Sequence, residues 1–500
     1  MPARAHLPGL LGPAPPVAGA TRENGVPRLD DMRWKQASCE TLRSRYRRLN
    51  PSLTTTTDAE PDNCPFPDFD RKGYQISEKY ASESRNATQA HIASQPTGQP
   101  EPSFVTHRIL IAGGGIGGMA ATLALLNGGH DVHVYEQAPE LKEFGAGVQI
   151  SPNGTRALHA LGVLERLRQL SCDTEGKEVR LWNSGRTWKL FDLGAEAVER
   201  YGFPYITVFR PDLLQVLVDA VRARRPEAIH LGRRAVGMTQ CGGEVLLRFE
   251  DGTTATGEAL VGADGVHSVI RRELFGGDNP RFLGMIAWRG VIPIDRVPRR
   301  ISRDKATNWI GVGGHVVHYP LRAGRLMNFV GIQERSDWQV ESWTAQGTAE
   351  ECAKDHAGWH QDVQALIAAS PSLFKWALMG RDLLPQWTIG NTTLLGDACH
   401  PTLPMLAQGA VMAIEDAVIL GRCFDKYGDV ATALSRYQDA RIAVTTRRVV
   451  GANDNAGRFH NPALSTEQDA ATYVDREWSR DAIVRRYEWI FTYNVDTVEI

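Results

Sequence analysis

Gly113, Gly115 and Gly118 stand in a G-x-G-x-x-G spacing. Glu136 follows about 20 residues on, where a dinucleotide site carries its acid. The chemistry this suits is anion recognition. The first glycine permits a tight turn, the second lets backbone approach a pyrophosphate, and the third lets a helix pack against its strand. Glu136 can accept from both ribose hydroxyls, and its charge argues against a 2′-phosphate there. A second chemical stretch reads T-T-L-L-G-D-A-C-H-P-T-L-P-M-L-A-Q-G-A from Thr392 to Ala410. Asp397, just after Gly396 at the end of an apolar run, is placed to accept a sugar hydroxyl. Pro401 and Pro404 stiffen the loop, and Gly409-Ala410 open a helix whose N–H groups and dipole favour an anionic neighbour. Cys399 has no evident base beside it and reads as a small packed residue. A third stretch, Leu260 to Arg271, holds Asp264 before Gly265, with Ser268 and Arg271 following. It supports two readings: an Asp-Gly turn with a helix cap, or a carboxylate facing ribityl or backbone groups near the phosphate cradle.

The elements around these residues must position them. Ile109 to Ala112 has the bulk of a buried parallel strand, Ile116 to Asn127 reads as the helix aimed at the phosphates, and Asp131 to Tyr135 as the next strand. A glycine-rich loop from Phe144 to Asn153, containing Val148 and Gln149, enters a helix with Leu158, Leu161, Leu164 and Leu167. Glu178 to Leu193 reads as a hairpin turning at Asn183-Ser184-Gly185. Phe209-Arg210-Pro211-Asp212 starts another helix. From Phe282 to Gln333 the pattern is β, with strands at Met285–Pro293, Trp309–Val312, Val316–Pro320 and Leu326–Ile332, which suggests a sheet with one sheltered face. Trp288, His315, His318, Tyr319 and Met327 offer themselves to a pocket there, against a core-packing reading for each. Glu350 to Ala369 reads as helix, Trp387 begins the return to the nucleotide-binding part, and the chain ends in helices, among them Ala431 to Asn453.

With 500 residues and 42% hydrophobic content, the chain can bury a large core in two or three domains. A net charge of −2 gives no reason to expect a nucleic-acid partner or stable membrane association. The 7 cysteines are scattered, with no metal-binding or disulfide spacing, so no metal is expected and a reducing cytoplasm is the natural compartment. Residues 1–104 lack apolar periodicity and read as a disordered extension with no assigned function; the alternatives are a transit peptide, disfavoured by the prolines and Asp30-Asp31, and a start codon placed too far upstream.

G-G-G-I-G-G with Glu136, G-A-D-G-V-H-S, G-D-A-C-H-P, Ala287-Trp-Arg-Gly290 and His318-Tyr-Pro320 together resemble the single-component flavoprotein aromatic hydroxylases, the group of salicylate and 3-hydroxybenzoate hydroxylases. Arg458-Phe-His460 and Tyr487-Glu-Trp489 extend the resemblance to about residue 495. It implies an α/β fold: a Rossmann-like FAD-binding domain (105–181, 209–281, 389–430) interleaved with a β-rich substrate domain (182–208, 282–388), then C-terminal helices (431–500). It also implies FAD held by Gly113, Gly115, Gly118, Glu136, Val148, Arg210, Asp264, Gly396, Asp397, Pro401, Gly409 and Ala410. NADH or NADPH would reduce the flavin, and O₂ would give a C4a-hydroperoxyflavin that a small phenolic acid attacks. The flavin then carries the chemistry, so Gln149, Trp288 and His318 are the only candidate catalytic side chains, in a monomer or homodimer. Two positions depart from the pattern. Gln149 stands where 6-hydroxynicotinate hydroxylases resembling this chain carry His, which favours a benzoate-type acid, and Met285 stands where some relatives carry a polar residue. The alternatives are a flavin-dependent reductase or oxidase, a 6-hydroxynicotinate-type hydroxylase, a non-flavin NAD dehydrogenase and a flavin-binding sensor.

Overall fold

A computed structural model describes residues 105–141, 146–277, 279–337 and 345–500. The expected extension over 1–104 and the Phe144-Gly145 opening of the glycine-rich loop lie outside these ranges. Strand β1 (Arg108–Ala112) buries Ile109, Leu110 and Ile111 completely, between parallel neighbours on both sides. Such two-sided cover is what an unbroken apolar run needs. Gly113 turns the chain at φ +104°, and helix α1 (Ile116–Asn127) follows. A Cβ on Gly118 would stand 1.9 Å from the Gly113 carbonyl oxygen, so only glycine lets α1 come this close to its loop. Strand β2 (Asp131–Tyr135) completes the unit.

Strand β3 (Gly147–Ile150) pairs antiparallel with Ile206–Phe209. Between them, the one helix expected through Leu158 and Leu167 is two, Pro152–Ala160 and Leu164–Arg168. Gly162 at φ +76° breaks it, a conformation glycine adopts without steric cost. Helix α2 (Arg210–Arg224) has Pro211 in its first turn. Strand β4 (Ala259–Gly262) lies beside β1, and the Asp264 turn leads into α3 (Val269–Phe275).

A larger sheet then forms from β5 (Arg281–Pro293), β6 (Lys305–Gly311), β7 (Gly314–Leu321), β8 (Leu326–Glu334) and β9 (Leu373–Gly380). Its order is Gln346–Gly347, β9, β5, β8, β7, β6, and then the hairpin Gly176–Leu181 and Thr187–Asp192. Because strand side chains alternate, His315, Val317 and Tyr319 of β7 face one side while Val316 faces the other. The far side is a core of Trp288, Trp309, Val316 and Met327 packed on Val363 and Leu366. The helices there, Ala349–Asp355 and Gln361–Ala369, replace the single one expected over Glu350–Ala369, with Gly358 at φ +79° between them.

Strand β10 (Thr392–Leu394) returns to the parallel sheet, whose order is β10, β4, β1, β2 and Ile229–His230. Helix α4 (Gly409–Lys426) packs on α1, and α5 (Val430–Phe459) runs for 30 residues alongside it. Glu467–Glu477 and Arg480–Phe491 close over the near side of the large sheet, where Tyr473 and Ile490 join Met285 and Ile332. The chain thus alternates between the two sheets, the interleaved α/β arrangement expected from its sequence. No helix among the described residues is long and apolar enough to cross a membrane.

Candidate active site

A cavity of about 380 Å³ opens where the carboxyl ends of the parallel strands meet the near side of the large sheet. Open α/β sheets bind ligands at that end. Gly115 is the N-cap of α1, and a Cβ added to it would meet nothing within 4 Å, so the helix terminus is open to a ligand. Gly113 is different: a Cβ there would lie 2.4 Å from the Ala263 carbonyl oxygen. At the end of β2, Glu136 accepts from the backbone N–H of Gly114 at 2.7 Å and of Ala138 at 2.8 Å. A carboxylate has acceptor capacity beyond two bonds. Gly113, Gly118 and Glu136 therefore shape and flank the turn, while Gly115 itself lines the cavity.

Of the other expected cofactor residues, Val148, Arg210, Gly396, Asp397, Pro401, Gly409 and Ala410 all line the cavity. Asp397 lies in a single 3₁₀ turn after β10 and is exposed on the cavity side. Asp264 does not line it. Its carboxylate accepts from the Ser268 hydroxyl and from the N–H groups of Val269 at 2.7 Å and Ile270 at 3.2 Å, which ties it to the first turn of α3, whose N-cap is Ser268. Burial pushes this carboxyl up, against the pull of those hydrogen bonds. Ser268 in turn accepts from the Arg271 N–H, and the Arg271 guanidinium donates to the Ala398 carbonyl at 3.2 Å and the Asp382 carbonyl at 2.9 Å. The Asp264 segment thus holds the Asp397 turn from behind.

Beneath that turn lies a buried ion network that sequence reasoning missed. The Asp416 carboxylate lies 2.7 Å from His400 Nε2, accepts from Arg441 Nε at 2.7 Å, and accepts from the Gly396 N–H at 3.2 Å. Glu415 accepts from Arg441 at 2.8 Å, from Arg448, and from Asn153 Nδ2 at 2.7 Å. All four charged groups are fully buried. Burial alone would push the Asp416 carboxyl up, but His400 and Arg441 outweigh it and hold it below the usual carboxylate range. Cys399, His400 and Asp416 converge closely enough for a cation, yet Arg441 already supplies positive charge to that carboxylate. Burial raises the Cys399 thiol well above its ordinary value, so it is a packed thiol and no nucleophile.

The opposite wall comes from the large sheet. His315, Val317 and Tyr319 of β7 line it with Val330 and Ile332 of β8 and Arg289 of β5, whose guanidinium sits 3.8 Å over the Trp376 ring. Gln149 also lines the cavity, and its Oε1 accepts from the buried Tyr205 hydroxyl at 2.9 Å, which turns the amide NH₂ elsewhere. Burial pushes the Tyr319 phenol up. Burial, together with His460, His356 and Lys177, holds His315 well below the usual imidazole range, so its ring is neutral. Trp288, His318 and Met327, named with these as pocket candidates, do not line the cavity. Trp288 faces the far side and donates from Nε1 to Asp355 at 2.8 Å, and His318 is buried one residue out of phase with His315. Met285 lies in the near-side core with Ala287 and Ile332.

Comparison with known proteins follows the same lines. Residues 106–451 match the family model described as FAD binding domain. A 3-amino-4-hydroxybenzoate 2-monooxygenase of Streptomyces platensis is 37% identical over 396 residues, 79% of this chain and 98% of the relative. A 3-hydroxybenzoate 6-hydroxylase of Polaromonas naphthalenivorans is 35% identical over 389 residues, 77% of this chain and 96% of the relative. Among solved structures, Klebsiella pneumoniae HpxO complexed with FAD and uric acid superposes with a TM-score of 0.66 at 27% identity, covering 80% of this chain and 98% of that one.

Proposed function

This chain belongs to the FAD-binding-domain family of the flavoprotein aromatic hydroxylases, and from that premise we propose that it uses NAD(P)H and O₂ to hydroxylate a small phenolic aromatic acid of the benzoate type. The observation that carries this reading is a shared cavity. One wall is the nucleotide turn with the N-terminus of α4, and the other is the polar and aromatic face of Gln149, His315 and Tyr319.

The residues present fit FAD. The positive φ of Gly113 and the open space at Gly115 bring bare backbone to a pyrophosphate at the N-terminus of α1. Glu136 would accept from the ribose hydroxyls, Asp397 and Arg210 would hold the ribityl chain, and the first N–H groups of α4 at Gly409 and Ala410 would favour the negative charge that the ring gains on reduction. Val148, Gly396 and Pro401 would border it, and Asp264 acts from behind by holding the first turn of α3. The chemistry that bound FAD would supply there is acceptance of reducing equivalents from NAD(P)H and activation of O₂ for transfer of one oxygen atom to the substrate ring.

The chain's own side chains do the rest. Arg289 would supply positive charge toward the substrate carboxylate. The amide NH₂ of Gln149, oriented through its Oε1 bond to Tyr205, donates to a substrate oxygen. Neutral His315 has Nε2 available to take the phenol proton, which raises electron density at the ring carbons beside and opposite the oxygen. Val317, Val330, Ile332 and Leu378 exclude water. The free cysteines among the described residues, Cys172, Cys241, Cys352, Cys399 and Cys423, suit a reducing compartment such as the cytoplasm. The test is turnover of salicylate, 3-hydroxybenzoate, 3-amino-4-hydroxybenzoate and 6-hydroxynicotinate with NADH and with NADPH. A ring-hydroxylated benzoate formed with acid-stimulated NAD(P)H consumption is expected. Acid-independent NAD(P)H oxidation without hydroxylated product would point to a reductase or oxidase.

A further inference from the structure

The geometry points to a proton path leading from the cavity wall to solvent, through His315, His460 and Glu334. His315 Nδ1 lies 2.7 Å from His460 Nε2, and His460 Nδ1 lies 2.9 Å from Glu334 Oε1. His315 lines the cavity, the His460 side chain is 1% exposed, and the Glu334 side chain is 55% exposed. The three groups therefore run from the cavity wall to water in two hydrogen bonds.

Three elements fix this alignment. His315 is the second residue of β7, Glu334 is the last residue of β8, and His460 is the C-cap of α5. Backbone holds them in place: Gly313 N–H donates to the His460 carbonyl at 3.3 Å, and Glu334 N–H donates to the Gly313 carbonyl at 2.8 Å. The Phe459 ring packs 5.0 Å from the His315 ring. Neither bond is needed to hold the β7–β8 pairing, which backbone already makes through His315 and Ile332.

The path rests on the proposed function, since it needs a phenol in the cavity. With the phenol O–H facing His315, its proton passes to Nε2 as the Nδ1 proton of His315 passes to His460 Nε2. The Nδ1 proton of His460 then passes to the Glu334 carboxylate, which releases it to water. The phenolate stays behind, one proton leaves, and neither imidazole keeps a charge. That last point matters. Burial disfavours an imidazolium at His315, and the charged or titratable groups around it are His460, His356 and Lys177, all of which lower it further. A ring so placed can relay a proton but cannot store one.

The test uses the FAD-loaded, oxidised enzyme without NAD(P)H, mixed rapidly with 3-hydroxybenzoate or 3-amino-4-hydroxybenzoate. Phenolate formation is followed by its ultraviolet difference spectrum and proton release by an indicator dye. His460→Ala should slow both on the order of 100-fold, the lower end of what a positioned proton-transfer group contributes. Flavin content and acid affinity should be unchanged, and added imidazole should restore part of the rate. Glu334→Gln, at a half-exposed position, should slow proton release less, because water reaches that end. An unaltered rate in His460→Ala, or a loss that imidazole leaves untouched, would overturn the path. If His460→Ala does not fold, Glu334→Gln decides: wild-type proton release at every pH would overturn it. A wild-type enzyme that hydroxylates these acids while both variants ionise them at full speed would sink the path and leave the function standing. A wild-type enzyme that neither ionises nor hydroxylates either acid would sink both.

Discussion

Among the described residues, the Glu136 carboxylate accepts from the backbone N–H groups of Gly114 and Ala138, so its removal tests the ribose end of the cofactor site. Charge-assisted hydrogen bonds contribute about 1.5–3 kcal/mol. Glu136→Ala should therefore weaken FAD roughly ten- to a hundredfold by titration of the apoprotein. An unchanged affinity would remove Glu136 from the cofactor site. His318 offers a test of a different kind. Both its ring nitrogens lack a hydrogen-bond partner among the described residues, and burial, then the charge of Arg180, lowers its pKa to about 3. The unfolded ring takes a proton near pH ~6.5 while the folded ring stays neutral. The folded protein should thus lose stability as pH falls from about 6.5 toward 3, by ~1.4 kcal/mol per pH unit from this ring. His318→Leu should flatten the denaturation midpoint against pH over that window. A slope as steep as the wild type's would mean that His318 is charged in the fold.

Among the elements, the buried network is the joint between α4, α5 and the Asp397 turn. Removing one member of a buried pair typically costs about 3–5 kcal/mol, because the remaining charge is left uncompensated. Arg441→Met, which strands Asp416 and Glu415, should lower thermal stability on that scale and loosen FAD. An unchanged melting temperature would show that His400 and Arg448 suffice. This joint was invisible in the sequence for a physical reason. Glu415 and Asp416 sit in the apolar stripe of Ala413, Ile414 and Ala417, and their partners Arg441 and Arg448 lie on another helix, with nothing local to pair them. The strands and glycine turns were legible because their signals are local: a run of apolar residues, or a glycine at a fixed offset. Local glycines also explain the two broken helices, at Gly162 and Gly358, where a continuous apolar stripe masked a left-handed residue. Alternation along β7 separates His315 from His318, but it does not say which set faces the cavity. Only packing against the helices over the far side decides that, and it is why Trp288, which lies in that core, and His318, which is buried in phase with neither His315 nor Tyr319, read as site candidates. His460 was noticed only as part of a resemblance; its bond to His315 depends on where a 30-residue helix ends.

At the scale of the whole molecule, function depends on a chain that leaves the parallel sheet, builds the large sheet and comes back at β10, so that two walls made far apart in sequence enclose one cavity. That enclosure is what distinguishes oxygen transfer from simple oxidation: a site that keeps water from the reacting oxygen couples reductant to product, and an open one wastes it. Incorporation of ¹⁸O₂ with simultaneous NAD(P)H counting measures this directly. With the benzoate that turns over best, the hydroxylated product should carry one labelled oxygen atom, and about one NAD(P)H should be consumed per product. NAD(P)H oxidised to unlabelled acid and H₂O₂, in enzyme holding its full complement of FAD, would contradict it.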